Sequence, residues 1–259
     1  MSSERLTSKI RMQSGHPPRR VDDQVAVEEP LAIKVNGIHF ATLMRTPGRE
    51  NDLAAGFLAA EAVIDGVDEI AAFKKCDTEN TVNLALADGC DFDLSKRRTT
   101  VTSSSCGVCG SRSIDELQKE LHSKSVPEIN EIEVDELLAA MQQMRQQQQL
   151  FAATAATHAV ALYDINTKQI IDIAEDVGRH NAADKVIGQQ LLLGNYPISQ
   201  SLVLLLSGRV SFDMVQKTAR ANISAICAVG MPTSLAIESA QAVGIKLYAW
   251  AREDSVCLY

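Results

Sequence analysis

The sequence predicts an α/β protein: a layered sheet-and-helix core at 158–259, preceded by a smaller N-terminal β-rich α+β portion. Three observations carry this. From residue 158 short apolar runs alternate with helical patterns, the rhythm of a sheet with largely parallel neighbours. Residues 25–46 read as a hairpin around Asn36-Gly37, which supplies the two positive-φ positions of a tight turn. Residues 126–157 are helical in pattern and join the two parts. The boundaries read as 1–20 for a flexible basic tail, 21–125 for the N-terminal portion, 126–157 for the connection and 158–259 for the core.

The elements follow in order. "NDLAAGFLAAEAVI" (51–64) is rich in Ala and Leu with an Asp near its start, a helix signature. "IAAFKK" and "TVNLALA" are two short strands across a polar turn. "KRRTTVTSSS" is extended and leads into "CGVCG". Ser113 with Glu116 fits a capping box, so a helix is expected there, with Ile114, Leu117 and Leu121 on one face. A further helix covers Val134 to Gln148, and the glutamine run 146–149 is expected on its exposed end or in a loop. Then come strands at "HAVALYD" and "QIIDIA", a helix at "NAADKVIGQQLLL", a buried strand at "SLVLLL" and a helix at "FDMVQKTARAN". A strand at "SAICAVG", a helix at "SLAIESAQAVG" closed by Gly244, and a strand at "KLYAWA" complete the pattern.

Of 259 residues, 46% are hydrophobic, enough for a sizeable core, and the net charge of −8 argues against a general nucleic-acid binder. Residues 1–20 carry +4 and the rest −12. That basic segment has no apolar run after it, so it reads as a solvated tail and not a secretory signal. "LVLLL" is too short to span a bilayer. The expected setting is the cytoplasm, away from membranes, where thiols stay reduced.

Cys106 and Cys109 therefore do not read first as a disulfide. A zinc site is disfavoured, because no second C-x-x-C and no upstream H-x-E accompanies them. A buried structural pair sits poorly with the surrounding Gly and Ser. A reactive thiolate fits better. A helix start and Arg112 would stabilise the negative sulfur, and Gly107 and Gly110 let another molecule approach.

Two further segments carry ligand chemistry. "EDVGRHNAADKVIG" gathers Glu175, Asp176, Arg179, His180, Asp184 and Lys185 at a strand-to-helix turn, more charge than a capped turn needs. "LLLSGRVSFDMVQK" ends a buried strand at Ser207-Gly208-Arg209, where ligands of open α/β sheets bind. Arg209 offers a fork and Lys217 a point charge for phosphate. "AWAREDS" places Trp250 beside Arg252, either as core or as a platform for a flat heterocycle.

These segments, in this order and with "VEEPLAIKVNG", "MRTPG" and "PTSLAIESA", resemble the formate dehydrogenase accessory sulfurtransferase family, FdhD. The resemblance implies a cytidine-deaminase-like α/β core, a homodimer and a role in formate dehydrogenase maturation. A cysteine desulfurase would pass sulfur to Cys106 as a persulfide. The protein would deliver it to the molybdenum bis(molybdopterin guanine dinucleotide) cofactor, a bound substrate that free guanine nucleotide partly mimics, before insertion into the formate dehydrogenase apoenzyme. Catalytic roles fall on Cys106 and Cys109. Cofactor contacts fall on Trp250, Ala251, Arg252, Glu253, Asp254 and Ser255, with Arg209, Ser207, Lys217, His180 and Asp176. No metal is expected to be held by the protein itself. The sequence departs from the family at Ala155-Ala156, where Gly-Gly is usual, and at Gly230-Met231. Alternatives are a non-catalytic cofactor carrier, a thiol–disulfide oxidoreductase and a zinc deaminase.

Overall fold

Two sheets face each other across a layer of helices, and one helix from each half forms the contact between them. The computed structural model describes residues 2–74, 79–90, 100–102, 121, 125–198 and 202–259.

The chain opens with β1 (Glu4–Gln13) and β2 (His16–Ala26), an antiparallel hairpin. This corrects the expectation of a flexible tail over 1–20. The two strands alternate polar and apolar residues well enough to pair, yet Leu6, Ile10 and Met12 all remain exposed. The base of the arm touches the connection that follows the N-terminal portion.

β3 (Glu29–Val35) and β4 (Ile38–Arg45) form the expected hairpin, with φ of 50° at Asn36 and 84° at Gly37. β5 (Ile70–Lys74), β6 (Thr81–Leu86) and β7 (Thr100–Thr102) complete a five-stranded sheet ordered β5-β6-β3-β4-β7. α1 (Glu50–Ala60) packs on it and is buried at every residue from Leu53 to Ala59. It ends earlier than expected, because the chain turns at Ala62 with φ 58°.

The connection holds α2 (Val134–Gln147) and α3 (Gln149–Thr154). Gln148, expected in an exposed run, is buried at their junction. The second sheet contains β8 (His158–Asp164), β9 (Gln169–Asp176), β10 (Leu202–Leu206), β11 (Ala225–Ala228), β12 (Lys246–Ala249) and a short β13 (Cys257–Leu258). Its order is β13-β12-β11-β10-β8-β9, with β10, β11 and β12 parallel. One face carries α4 (Arg179–Leu192), α5 (Phe212–Arg220) and α6 (Ser234–Val243); α2 covers the other. The alternation of side chains along each strand explains this. Leu204 and Leu206 point to one core, Val203 and Leu205 to the other. Among the described residues no helix is long and apolar enough to cross a membrane.

α1 and α4 approach so closely that only glycine fits at two positions. A Cβ on Gly56 would lie 2.0 Å from the Asp184 carbonyl oxygen, and one on Gly188 would lie 1.9 Å from that of Asp52. A polar junction seals the same seam. Asp176 is fully buried and accepts from the Thr46 N–H (3.1 Å), the Gly178 N–H (2.8 Å), Asn181 Nδ2 (2.9 Å) and Lys185 Nζ (2.7 Å). Lys185 Nζ also donates to the Thr46 carbonyl at 2.9 Å.

Removing one partner of such a buried pair strands the other charge, which costs about 3–5 kcal/mol. Asp176→Asn is therefore expected to lower the unfolding free energy by about that amount, with an unchanged denaturant slope. Urea titration measures it, and a midpoint equal to wild type would show that Lys185 does not depend on this carboxylate.

Candidate functional site

The carboxyl ends of β10, β11 and β12 open on one edge of the sheet, the place where α/β folds bind ligands. β8 runs antiparallel to β10, with Val160 opposite Leu206, so the start of β8 reaches the same edge. His158 thus meets the "SGR" loop: a Cβ on Gly208 would lie 3.3 Å from its Nδ1. The next loop crosses just as tightly. A Cβ on Gly230 would lie 2.5 Å from Cα of Arg209 and 2.6 Å from the Gly208 carbonyl oxygen, so glycine is required where the two loops stack. A parallel bridge from Val210 to Pro232 extends that stack.

Three helices begin at this edge, α4 at Arg179, α5 at Phe212 and α6 at Ser234. Their free N–H groups favour a negative charge in front of them. The side chains agree. Arg179 sits near Arg209, and burial together with that neighbouring charge holds its guanidinium below the ordinary arginine value, opposed by Asp213. Neither arginine makes a hydrogen bond or ion pair among the described residues. Burial, then the charges of Arg179 and His180, push the His158 imidazole below its ordinary value, with Asp176 opposing. Burial alone would raise the Asp213 carboxyl, but His180 and Lys217 outweigh it and hold it below the usual range. His180 Nε2 is 3.7 Å from Asp213 Oδ2, too long for a good hydrogen bond.

Buried polar atoms are normally paired. Here Arg179 Nε, His180 Nε2 and Asp213 Oδ1 are all buried without a hydrogen-bond partner. Arg179 Nε and His180 Nε2 lie at the start of one helix beside Arg209, an arrangement that can donate to a negatively charged group, while Asp213 Oδ1 at the start of the next helix is an unpaired acceptor in the same place.

The sequence-predicted residues divide. Arg209 is exposed at the edge, and Ser207 lies there too, its Oγ accepting from the Ala159 N–H at 2.8 Å. His180 joins the cluster just described. Trp250 is 44% exposed and so is not a core residue, and Arg252 lies over its ring at 3.5 Å from the centroid. Arg252 Nη1 donates to the Val229 carbonyl, and its N–H to that of Ser255, closing a tight turn with Glu253 and Asp254 exposed. Ala251 is buried in the core behind α2. Two residues differ from expectation. Lys217 is no free point charge: it is buried, 2.6 Å from Asp184 Oδ1. Asp176 is enclosed in the seam, with its acceptor capacity used. Both position the edge from within. Glu175 likewise turns inward, accepting from the Leu150 (2.8 Å) and Phe151 (2.7 Å) N–H groups at the start of α3.

Cys106 and Cys109, with Arg112 and the helix expected after them, lie outside the described residues. Of the described cysteines, Cys227 is buried and its thiol is pushed up to about 12 by burial, which leaves it inert. Among the described residues no group of His, Cys, Asp and Glu is placed to hold a metal ion. Sequence reasoning missed His158 as a site residue, and it placed Arg179 in the 175–185 charge cluster without assigning it a cofactor contact. His158 opens a strand, and only its antiparallel pairing with β10 brings it to this edge.

The fold is that of a layered α/β protein with a cationic edge at the ends of three parallel strands. The model of the FdhD/NarQ family matches residues 26–259, and the chain belongs to that family. It is 39% identical over 249 residues to the sulfur carrier protein FdhD of Mycobacterium tuberculosis, covering 92% of this chain and 90% of that one. Identity to the protein of the same name from Streptomyces avermitilis is 38% over 261 residues, covering 96% and 91%. A crystal structure from Desulfotalea psychrophila, assigned there as a formate dehydrogenase accessory protein, superposes with a TM-score of 0.78 at 23% identity, covering 99% of this chain and 96% of that one. That likeness bears out the layered α/β fold.

The electrostatics yield a prediction. His158 is expected to titrate below the ordinary histidine value, and Arg179→Gln is expected to raise it. NMR titration of the imidazole signals checks both. Because the unfolded chain binds this proton first, stability falls as pH drops through the ordinary histidine range. A free-histidine value in both proteins would mean that Arg179 does not act on His158.

Proposed function

We propose that this protein is a sulfur carrier of formate dehydrogenase maturation that loads sulfur on Cys106 and presents it to a guanine-dinucleotide cofactor held at the strand-end edge. The observation that carries the ligand half of this reading is the pair of arginines, Arg179 and Arg209, that face one another in front of three helix starts without a carboxylate partner in ion-pair contact among the described residues. The names of the relatives support the sulfur half.

The backbone supports direct delivery. β7 runs parallel to β4, with Leu43 opposite Thr102, so the chain leaving β7 heads the way β4 does, toward Thr46 and the Asp176 seam. Cys106 is four residues beyond Thr102. Four extended residues span at most ~14 Å. The chain therefore leaves β7 on the side of the molecule where the anion cluster sits.

In the loading step the Cys106 thiolate attacks the terminal sulfur of a persulfide on a cysteine desulfurase. The sulfur–sulfur bond there breaks, the desulfurase cysteine leaves as a thiolate, and Cys106 carries the persulfide. No net oxidation occurs. The arginines and helix starts hold the phosphates of the bound substrate, and Trp250 with Arg252 offers a stacking face near them. Cys109, three positions further along the chain, is the second thiol of the motif. A homodimer in which this edge and the cysteine segment face each other fits the same scheme.

The test is sulfur loading. Protein incubated with a cysteine desulfurase and cysteine is expected to gain a sulfur atom mapped by mass spectrometry to Cys106. Cys106→Ala is expected to stay unloaded and to fail in formate dehydrogenase maturation. A variant that supports full maturation would favour a non-catalytic cofactor carrier instead. For the ligand, Arg209→Ala is expected to weaken GDP binding by about 1.5–3 kcal/mol, the loss of a charge-assisted phosphate bond. Calorimetric affinity equal to wild type would remove Arg209 from the site.

A further inference from the structure

The arm formed by β1 and β2 stands clear of the rest of the molecule. Every residue from Arg5 to Arg20 is exposed, and only the base of the hairpin touches α3. A lone two-stranded hairpin is at best marginally stable in water. Here the chain itself covers neither of its faces.

Those faces differ in chemistry. Leu6 and Ile10 share one, with Met12 beyond them, at 76%, 67% and 80% exposure. Arg5, Lys9 and Arg11 lie on the other. Arg19 stands directly opposite Arg11, and like charges in that position destabilise a hairpin. Lys9 is paired with Asp23 at 2.8 Å, and Arg20 donates to Ser8 Oγ. Arg5, Arg11 and Arg19 make no hydrogen bond or ion pair among the described residues. The arm is therefore cationic on one face, apolar on the other and incomplete on both.

Its complement lies on the same chain. The stretch 128–136 holds five acids, and no Lys or Arg follows until Arg145. Ile129 and Ile132 are buried beneath it, which pins the backbone to the core and leaves Glu128, Glu131, Glu133 and Asp135 exposed as a ridge. None of these four is ion-paired among the described residues; the fifth acid, Glu136, is held by Lys168. The arm does not lie on its own ridge, since it is exposed throughout. The rest of the chain carries −12, so nucleic acid or an anionic membrane is repelled by the body to which the arm is attached. A second copy brings the acidity instead as the matching surface.

We propose that two copies of this chain exchange arms, the Arg5–Arg11–Arg19 face of each docking on the 128–136 ridge of the other and the two Leu6–Ile10 rows covering one another across the two-fold axis. The area suffices. Eight residues from Arg5 to Met12 extend roughly 26 Å, and a strand pair is about 10 Å wide. Each face thus covers about 260 Å². Two arms on two ridges remove about 1,000 Å² from water, the threshold of a specific interface, and the arm-to-arm contact adds to it. This assignment stands apart from the ligand reading.

Sedimentation velocity of the full chain tests it. Wild type is expected to be a dimer that weakens with rising salt, because the contact is ionic and lies at the surface. Arg11→Glu with Arg19→Glu is expected to weaken the dimer roughly a hundredfold, and Glu131→Lys with Glu133→Lys to do the same. Leu6→Ser with Ile10→Ser is expected to weaken it roughly tenfold or more. Mixing the arm-reversed and ridge-reversed chains is expected to restore a dimer, since each arm then meets a ridge of opposite sign. That recovery also shows that both variants fold. A wild type that stays monomeric, a dimer that either reversal leaves unchanged, or reversed chains that stay apart when mixed overturns the pairing. A monomer that binds anionic vesicles or duplex DNA through the arm overturns it too and identifies the other occupant.

Discussion

The Asp176 carboxylate is the constraint on which the site depends. It sits at the end of β9 with no exposed surface and accepts four donors from three places: the loop after β4, the start of α4 and the middle of α4. Because a buried carboxylate is tolerated only when saturated in this way, the three places move as one unit. Arg179 and His180 follow Asp176 immediately, so their direction at the ligand edge is inherited from it. The Lys217–Asp184 pair repeats the device one layer over, between α5 and α4. Burial pushes the Asp184 carboxyl upward even with Lys217 against it, which marks how dry that layer is.

The inner pairs and the edge cluster have opposite electrostatics. Inside, every cation has its carboxylate. At the edge, Arg179 and Arg209 face one another with Asp213 as the nearby acid, and three buried polar atoms remain unpaired. Holding like charges together at a partly buried edge is unfavourable, and the seam supplies the rigidity that keeps them there. A polyanion arriving at the edge relieves that repulsion. The acidic balance of the whole chain is no obstacle, since the field at the edge is set by these local groups.

Much of this was legible in the sequence. The Asn36-Gly37 turn, the alternation of strands and helices after residue 158 and the strand-end position of Arg209 all follow from local pattern, and each stands in the structure. What local pattern does not carry is direction. "EDVGRHNAADK" reads as a uniform cluster of charge, yet Asp176, Asp184 and Lys185 turn inward while Arg179 turns to the edge. That division depends on α1, which packs against α4 from more than a hundred residues upstream. Lys217 reads as a phosphate ligand for the same reason, because its partner Asp184 lies 33 residues earlier. Gln148 and Phe151 sit in a polar, repetitive stretch that gives no sign of burial. The basic N-terminal segment reads as a tail because strand pairing over 4–26 leaves its apolar side chains exposed.

The close approach of α1 and α4 has a consequence for how the chain is made. α1 is buried from Leu53 to Ala59, with the N-terminal sheet packed on it and α4 crossing it closely. The polar seam beside it joins Thr46 to Lys185, 139 residues apart. On a ribosome the N-terminal sheet emerges long before that cover exists, so the face of α1 around Asp52 and Gly56, which meets α4, stays open to other chains and to chaperones until α4 is out. Local hairpins form early, and the two halves close late, paying the entropy of a long loop in one step. Vectorial synthesis thus gives this protein a defined vulnerable interval. It begins when residue 60 leaves the exit tunnel and ends when residue 192 does.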